Sequence, residues 1–449
     1  MFTGIAKRPR QFLERLVSSG SSLGIILLLM VVIAMAWANS PWAHYYHELW
    51  QIKLTIGFEG AELSKSLHHW VNDFLMAYFF FMVGLEVKRE FMVGELSTAR
   101  KAVLPLVSAI GGMAIPALIY LAINRNGVGA NGWGIPMATD IAFAIGLLAL
   151  AGNAIGNSSK TFLTALATAD DIGAILIIAF FLSNDLDISN LIAAGVYFLI
   201  MLVGNITGVR NVWFYFIVGV FGLWVALFLS GVHATLAGVL AAFCIPARSK
   251  ISEATYIEKI KQRASTLSDT SFTDNPLLRE NQVEIILNLI EDSRKALSPL
   301  QRLEQKVRPM VNFFVLPIFA LANAGVTIKG DFLEMLLHPI SLGIIAGLCL
   351  GKLIGIMGAS VFIVKSKIGK LPTGSDWGAI GALSMMAGIG FTMSIFIAEL
   401  SLTDERLLQI AKVGIITASV ISGIVGIAWL KLKSNNRSLN KPEYGEAQG

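Results

Sequence analysis

Charge is what this sequence has least of. Asp, Glu, Lys and Arg make up 14% of its 449 residues, against about 25% in an ordinary soluble domain. So few charges exclude a cytosolic enzyme and a disordered chain. Also missing are the polar linkers that would divide a soluble chain of this length into about three domains. Cysteine is nearly absent: Cys244 and Cys349 are the only two. Both lie in apolar runs, so no disulfide framework is encoded, and both are expected as small buried hydrophobes. A nucleic-acid partner is not needed to explain the net charge of +5, because basic loops on the cytoplasmic side of a membrane account for it. No convincing A-x-A cleavage site follows the first apolar run, which therefore reads as a retained span rather than a signal peptide.

What the chain has instead is apolar length. Hydrophobic residues make up 55%, with 42 Gly and 26 Phe, and mean hydropathy is +0.67. Runs near 20 residues recur from end to end, which describes an all-α polytopic membrane protein. A hydrocarbon core about 30 Å thick needs about 20 apolar residues at the helical rise of about 1.5 Å. That measure predicts twelve spans, near 22–39, 69–87, 102–123, 135–152, 161–183, 189–207, 211–229, 231–246, 309–328, 340–364, 377–399 and 409–430. An even number puts both termini on one side. Of the 35 Lys and Arg, 28 fall in the termini and the even-numbered connections and 6 on the other side, so both termini are expected in the cytoplasm. The chain reads as one integral-membrane domain over 1–449, with a long cytoplasmic insert at 247–307 and a tail at 433–449.

Two connections are long. Within the outward residues 40–68, apolar and polar residues alternate on either side of a Gly-containing turn. The segment is open between a β-hairpin at 50–66 and an irregular loop; a hairpin edge could pair with a second copy of itself. In the insert, Val283, Ile286, Leu287 and Ile290 follow the spacing of an amphipathic helix, free to lie on the membrane or pack on the body.

Charges inside spans are expensive and call for a reason. Asp140, Asp170, Asp171 and Lys352 are such charges, whereas Asp73, Glu86 and Glu399 sit near span ends, where interfacial water suits a structural role. Asp170 and Asp171 project about 100° apart on a helix. In a low dielectric they cannot both ionise freely, and a small hard cation accepted by carboxylate oxygens relieves the same repulsion as a proton does. Competition between the two at one site is the physical basis of an exchanger. Lys352 supplies a countercharge: paired with Asp170 it holds its proton, and it loses that support when a cation neutralises the carboxylate; the other reading is a fixed ion pair.

Two spans look able to break. GWGIPMATDIAFAIG carries Pro136 and Thr139 around Asp140, and LSMMAGIGFTMSIFIA carries Gly388 and Gly390. Interrupted helices at matching positions of two halves point to a midplane site. Asp140 could then neutralise two facing helix N-termini, and Lys352 two facing C-termini. His233, within the expected span 231–246, is a candidate pH-tuning group or a structural histidine. GLEVKRE (Glu86, Lys88, Arg89, Glu90) forms either a charge network at the cytoplasmic mouth or a solvated helix end.

Together FMVGLEVKREF, MATDIAFAIGLLALAG, TALATADDIGAI, GVHATLAGVL, LPIFALANAGV, GKLIG and GIGFTMSIFIAEL resemble the NhaA-type sodium/proton antiporters over most of the chain. The resemblance implies the repeat plan known for that family: inverted repeats from spans three to five and ten to twelve, with two broken crossing helices. It implies a bacterial inner-membrane protein, neither an enzyme nor dependent on a cofactor. It would extrude Na⁺ or Li⁺ for H⁺ electrogenically and dimerise through the 50–66 hairpin amid membrane lipids. Asp171 would be the principal cation and proton carboxylate and Asp170 its partner, paired with Lys352, with Thr139 and Asp140 at the crossing. His233, Glu86, Arg89, Glu90 and Glu304 would serve the pH response. The chain departs from the family in its insert of about sixty residues, which ends in RLEQKVRPMVNF with Glu304 but no nearby histidine, so a shifted or flat pH profile is expected.

Rival readings fare worse. An intramembrane aspartyl protease expects YD and GxGD settings that do not occur here, and a retinal pump expects seven spans with an aromatic pocket around its Lys. The alternative that stays open is a relative exchanging K⁺, or coupling another solute to Na⁺ or H⁺.

Overall fold

The structure is a computed structural model describing residues 20–58, 61–125, 127, 129–150, 157–181, 186–268, 277–328 and 332–439. The basic N-terminal stretch and residues 440–449 of the tail lie outside the described residues.

Helices dominate, and the single two-stranded sheet among the described residues is the hairpin. Lys53–Phe58 pairs antiparallel with Ala61–Ser66, from Lys53 opposite Ser66 to Phe58 opposite Ala61. Of the two readings left open for residues 40–68, the hairpin is the one formed.

Among the described residues, eight helices are long and apolar enough to cross a membrane: Leu67–Val93, Ala99–Asn124, Ala130–Ala149, Ser158–Phe181, Ile188–Ile206, Val212–Leu229, Pro339–Lys365 and Glu405–Lys433. Two bent pairs raise the number to ten, Ser22–Ala38 with Ala43–Gln51 at 110° and Trp377–Met386 with Phe391–Ser401 at 46°. The other two expected spans are helical but do not stand alone. At 231–246 only Leu236–Cys244 is helical, because Gly231 takes a left-handed φ of 81° and opens a turn. At 309–328 the apolar residues end a helix that begins in the charged segment Pro299–Met310 and continues through Val311–Val315 to Asn323.

The segment Ala130–Met137 is a 3₁₀ run, followed by an extended break and then the α-helix Ile141–Leu150. The helix Ala99–Asn124 lies along Pro339–Lys365 so closely that a methyl group on Gly111 would run into the Gly355 carbonyl; small residues permit such approach in membranes. Ser108 and Ser360 share a hydroxyl hydrogen bond of 2.8 Å across this interface. A π-helical turn at Gly347–Gly351 immediately precedes Lys352, an irregularity frequent at functional sites.

In the insert, Glu253–Ser268 and Glu280–Ala296 form two helices, joined where Lys259 and Arg263 reach Asp292 at 3.1 and 2.9 Å. The expected amphipathic helix forms, but Val283, Leu287 and Ile290 remain exposed, so its stripe does not pack on the body.

Candidate functional site

The breaks in the two crossing helices face each other. Asp140 N–H donates to the Ile389 carbonyl at 2.7 Å, and Ser394 Oγ donates to the Ile135 carbonyl at 2.8 Å. The helices Ile141–Leu150 and Phe391–Ser401 both start at this crossing, each with N–H groups that lack intrahelical partners. One carboxylate serves both. Asp140 Oδ1 accepts from Phe143 N–H at 2.9 Å, and Oδ2 accepts from Thr392 N–H at 3.0 Å and from the Thr392 hydroxyl at 2.5 Å. A negative charge between two helix N-termini is the arrangement their dipoles favour.

Thr139 connects the crossing to the aspartate pair. Its Oγ1 is 2.7 Å from Asp170 Oδ2 and 2.8 Å from the Ala387 carbonyl. Asp170 is fully buried on Asn157–Phe181, with Lys352 Nζ in direct contact with Oδ2 and both side chains sealed from solvent. Asp170 Oδ1 has no hydrogen-bond partner among the described residues.

Helix geometry sends the neighbouring side chain elsewhere. Asp171 lines a cavity of about 240 Å³ together with Thr139, Asp140, Thr392, Glu86 and Arg308, and Asp170 does not line it. The pair is therefore split: one carboxylate closed off with a lysine, its neighbour opening onto a polar-mouthed cavity.

At the mouth, Arg89 lies 3.7 Å from Glu86, 3.0 Å from Glu90 and 3.1 Å from Glu304. Arg308 lies 3.5 Å from Glu86 and 2.5 Å from Glu304. The charges of GLEVKRE thus form a network with the end of the insert and are not a solvated helix end. Lys88 leaves that network: its ammonium caps the carbonyls of Phe243 and Ile245, both at 2.6 Å.

His233 is placed differently from the expectation. It sits in the turn before Leu236–Cys244, not within a helix. Lys88 binds the far end of that helix, about 14 Å away at the helical rise, so His233 and the Glu86 network lie at opposite ends and do not meet.

Sequence reasoning missed a second buried polar group. Lys412, which counts with the outward connection although it lies just inside the expected span 409–430, is buried within Glu405–Leu439 and lies 2.6 Å from Glu399. His68, on the helix Leu67–Val93, approaches the same carboxylate at 3.7 Å. The signal that could have found this group is Lys412 itself, a lysine near the start of an apolar run.

Comparison with known proteins assigns the family. A family profile described as Na⁺/H⁺ antiporter 1 matches residues 14–430. The chain is 46% identical over 429 residues to the Na(+)/H(+) antiporter NhaA of Oleidesulfovibrio alaskensis, covering 95% of each chain. It is 44% identical over 420 residues to that of Sulfurimonas denitrificans, covering 93% of this chain and 94% of the other. With the protein of the same name from Acidithiobacillus ferrooxidans it shares 45% over 423 residues, 94% of this chain and 96% of the other. A match spanning the crossing helices, the aspartate pair and the mouth network leaves one conclusion: the chain belongs to the Na⁺/H⁺ antiporter family of the NhaA type.

Proposed function

We propose that this sodium/proton antiporter works through a split carboxylate pair, with Asp171 receiving Na⁺ or a proton from the cavity and Asp170 held in reserve by Lys352. The carrying observation is that Asp171 lines the cavity while Asp170 is closed off with Lys352. A Na⁺ ion entering past Glu86 and Arg308 displaces the proton on Asp171. Its charge also draws in the unpartnered Asp170 Oδ1, which loosens the lysine. Without its carboxylate, a buried lysine gives up its proton. Two protons leaving for one Na⁺ make the exchange electrogenic.

Asp140 and Thr139 hold the crossing together during the change. The two broken helices then turn the loaded site toward the other face, as alternating access around a midplane site requires. The Glu86, Arg89, Glu90, Glu304 and Arg308 network regulates the mouth, where its charges meet every arriving ion. His233, distant from that network, affects the pH response only through the turn it occupies. The basic connections support an inner-membrane protein with cytoplasmic termini, and the exposed hairpin supports a homodimer. Li⁺ fits the same oxygens as Na⁺.

The test uses everted membrane vesicles with an imposed pH gradient. Adding Na⁺ or Li⁺ collapses the gradient with native protein, and Asp171→Asn abolishes the response. Normal exchange by the Asn variant would remove Asp171 from the site. Repeating the assay with K⁺ decides selectivity.

A further inference from the structure

On the side of the crossing away from the cavity mouth, Glu399 gathers charge that the exchange site does not use. It lies near the end of Phe391–Ser401, two turns beyond Thr392, whose N–H and hydroxyl hold Asp140. Lys412 Nζ on Glu405–Leu439 is 2.6 Å from Glu399 Oε1, and His68 Nε2 on Leu67–Val93 is 3.7 Å away. The same His68 nitrogen lies 3.0 Å from Asn323 Oδ1, and Asn323 Nδ2 donates to Asn72 Oδ1 at 2.9 Å. Four helices therefore meet around one nearly buried carboxylate. Buried charges are poor sources of net stability but strict about geometry, so packing alone does not explain the group.

We propose that Glu399 and His68 are positioning residues for the exchange reaction, clamping Phe391–Ser401 with a strength set by proton concentration on the hairpin face. Lys412 supplies the constant arm of the clamp. His68 supplies the variable arm, because an imidazole is cationic only when it binds a second proton, and a protonated ring 3.7 Å away attracts Glu399 more strongly than a neutral one. Other charged or titratable groups around it are Asp73 and His69 on its own helix, Lys65 on the hairpin and Tyr46 on Ala43–Gln51. Acid on the hairpin face tightens the clamp, holds Thr392 on Asp140 and keeps the cavity open to the mouth. Turning the site toward the hairpin face then slows.

The inference rests on the hairpin face being the outward one. That is checked separately by labelling T55C with a membrane-impermeant maleimide, since Cys244 and Cys349 are buried. Full-length protein is reconstituted in vesicles with the pH of each face set independently, and the Na⁺-driven exchange rate is followed. As the hairpin-face pH is lowered stepwise from about 8 to about 5, H68Q is expected to become faster than native by about fivefold, the lower end of usual couplings. H68K, charged throughout, should stay slow at every hairpin-face pH. E399Q should lose the dependence, and adding H68Q to it should change nothing more. The pH profile of the mouth face should not move in any of them. Superimposed native and H68Q profiles, identical H68Q and H68K, or a shift confined to the mouth face would each overturn the proposal. Should the variants fold poorly, hydrogen exchange of the Phe391–Ser401 amides in native protein decides. Protection should rise as the hairpin-face pH is lowered, and unchanged protection would overturn the clamp. Maleimide labelling from the cytoplasmic side would overturn the orientation instead.

Discussion

The smallest unit of the proposed exchange is the contact between Lys352 and Asp170, two side chains with no solvent exposure. Removing one partner of such a pair leaves the other charge buried alone and costs about 3–5 kcal/mol, whereas removing both together is often neutral. Lys352→Ala is therefore expected to lower the melting temperature sharply and to shift the pH profile of exchange. Combining Lys352→Met with Asp170→Asn should restore most of the stability without restoring native exchange. Thermal unfolding in detergent, read beside vesicle exchange, checks both halves. An unchanged melting temperature and profile for Lys352→Ala would remove the ion-pair account. The four mid-membrane charges were legible in the sequence because each is costly where it sits. That Asp170 rather than Asp171 takes the lysine cannot be decided by spacing; it is a supposition of the sequence reading, and the family resemblance implies the same pairing. It depends on how Asn157–Phe181 is rotated against Pro339–Lys365, and adjacent residues carry no record of that.

At the scale of elements, Pro136 with Thr139 and Gly388 with Gly390 marked the helices that break, and both breaks formed as the composition implied. The bounds moved where an apolar run was short or was prefixed by charge: Gly231 shortens the helix in one expected span, and the charged segment Pro299–Met310 begins the helix containing another. Contacts between distant helices, such as Glu399 with His68 and Lys412, leave no periodic trace and were not legible. The insert gives an element-scale prediction. The hydrogen bond from Lys259, with support from Arg263, holds the Asp292 carboxyl below the ordinary carboxylate range. A carboxyl lowered on folding stabilises the fold above its unfolded value, and the contribution disappears as pH falls through the lowered folded value. The pairing of Glu253–Ser268 with Glu280–Ala296 should therefore hold at neutral pH and loosen in strong acid. Hydrogen exchange at the Glu280–Ala296 amides across pH reports this. Asp292→Asn should remove the acid dependence, and equal pH dependence in the variant would assign the loosening to another group.

For the whole molecule the question is what a second copy would contribute. The crossing, the aspartate pair and the mouth network are all built from one chain, so no residue of the site has to come from a partner. The hairpin, in contrast, is a two-stranded sheet whose edges meet no third strand among the described residues, with Ile52, Leu54 and Ile56 exposed. Such an edge is a template for another strand, and a two-fold axis lets the same edge serve both copies. The proposed dimerisation through the hairpin and the proposed exchange through the site are thus separable. Replacing residues 54–65 with a short glycine linker is expected to give monomers by light scattering in detergent. The monomer should keep Na⁺/H⁺ exchange per chain within about twofold in vesicles and lose some thermal stability, because a partner that binds only the folded state stabilises it by mass action. Dimers persisting after the deletion would move the interface to another face of the bundle. A folded monomer that no longer exchanged would mean that one chain does not hold the whole machine.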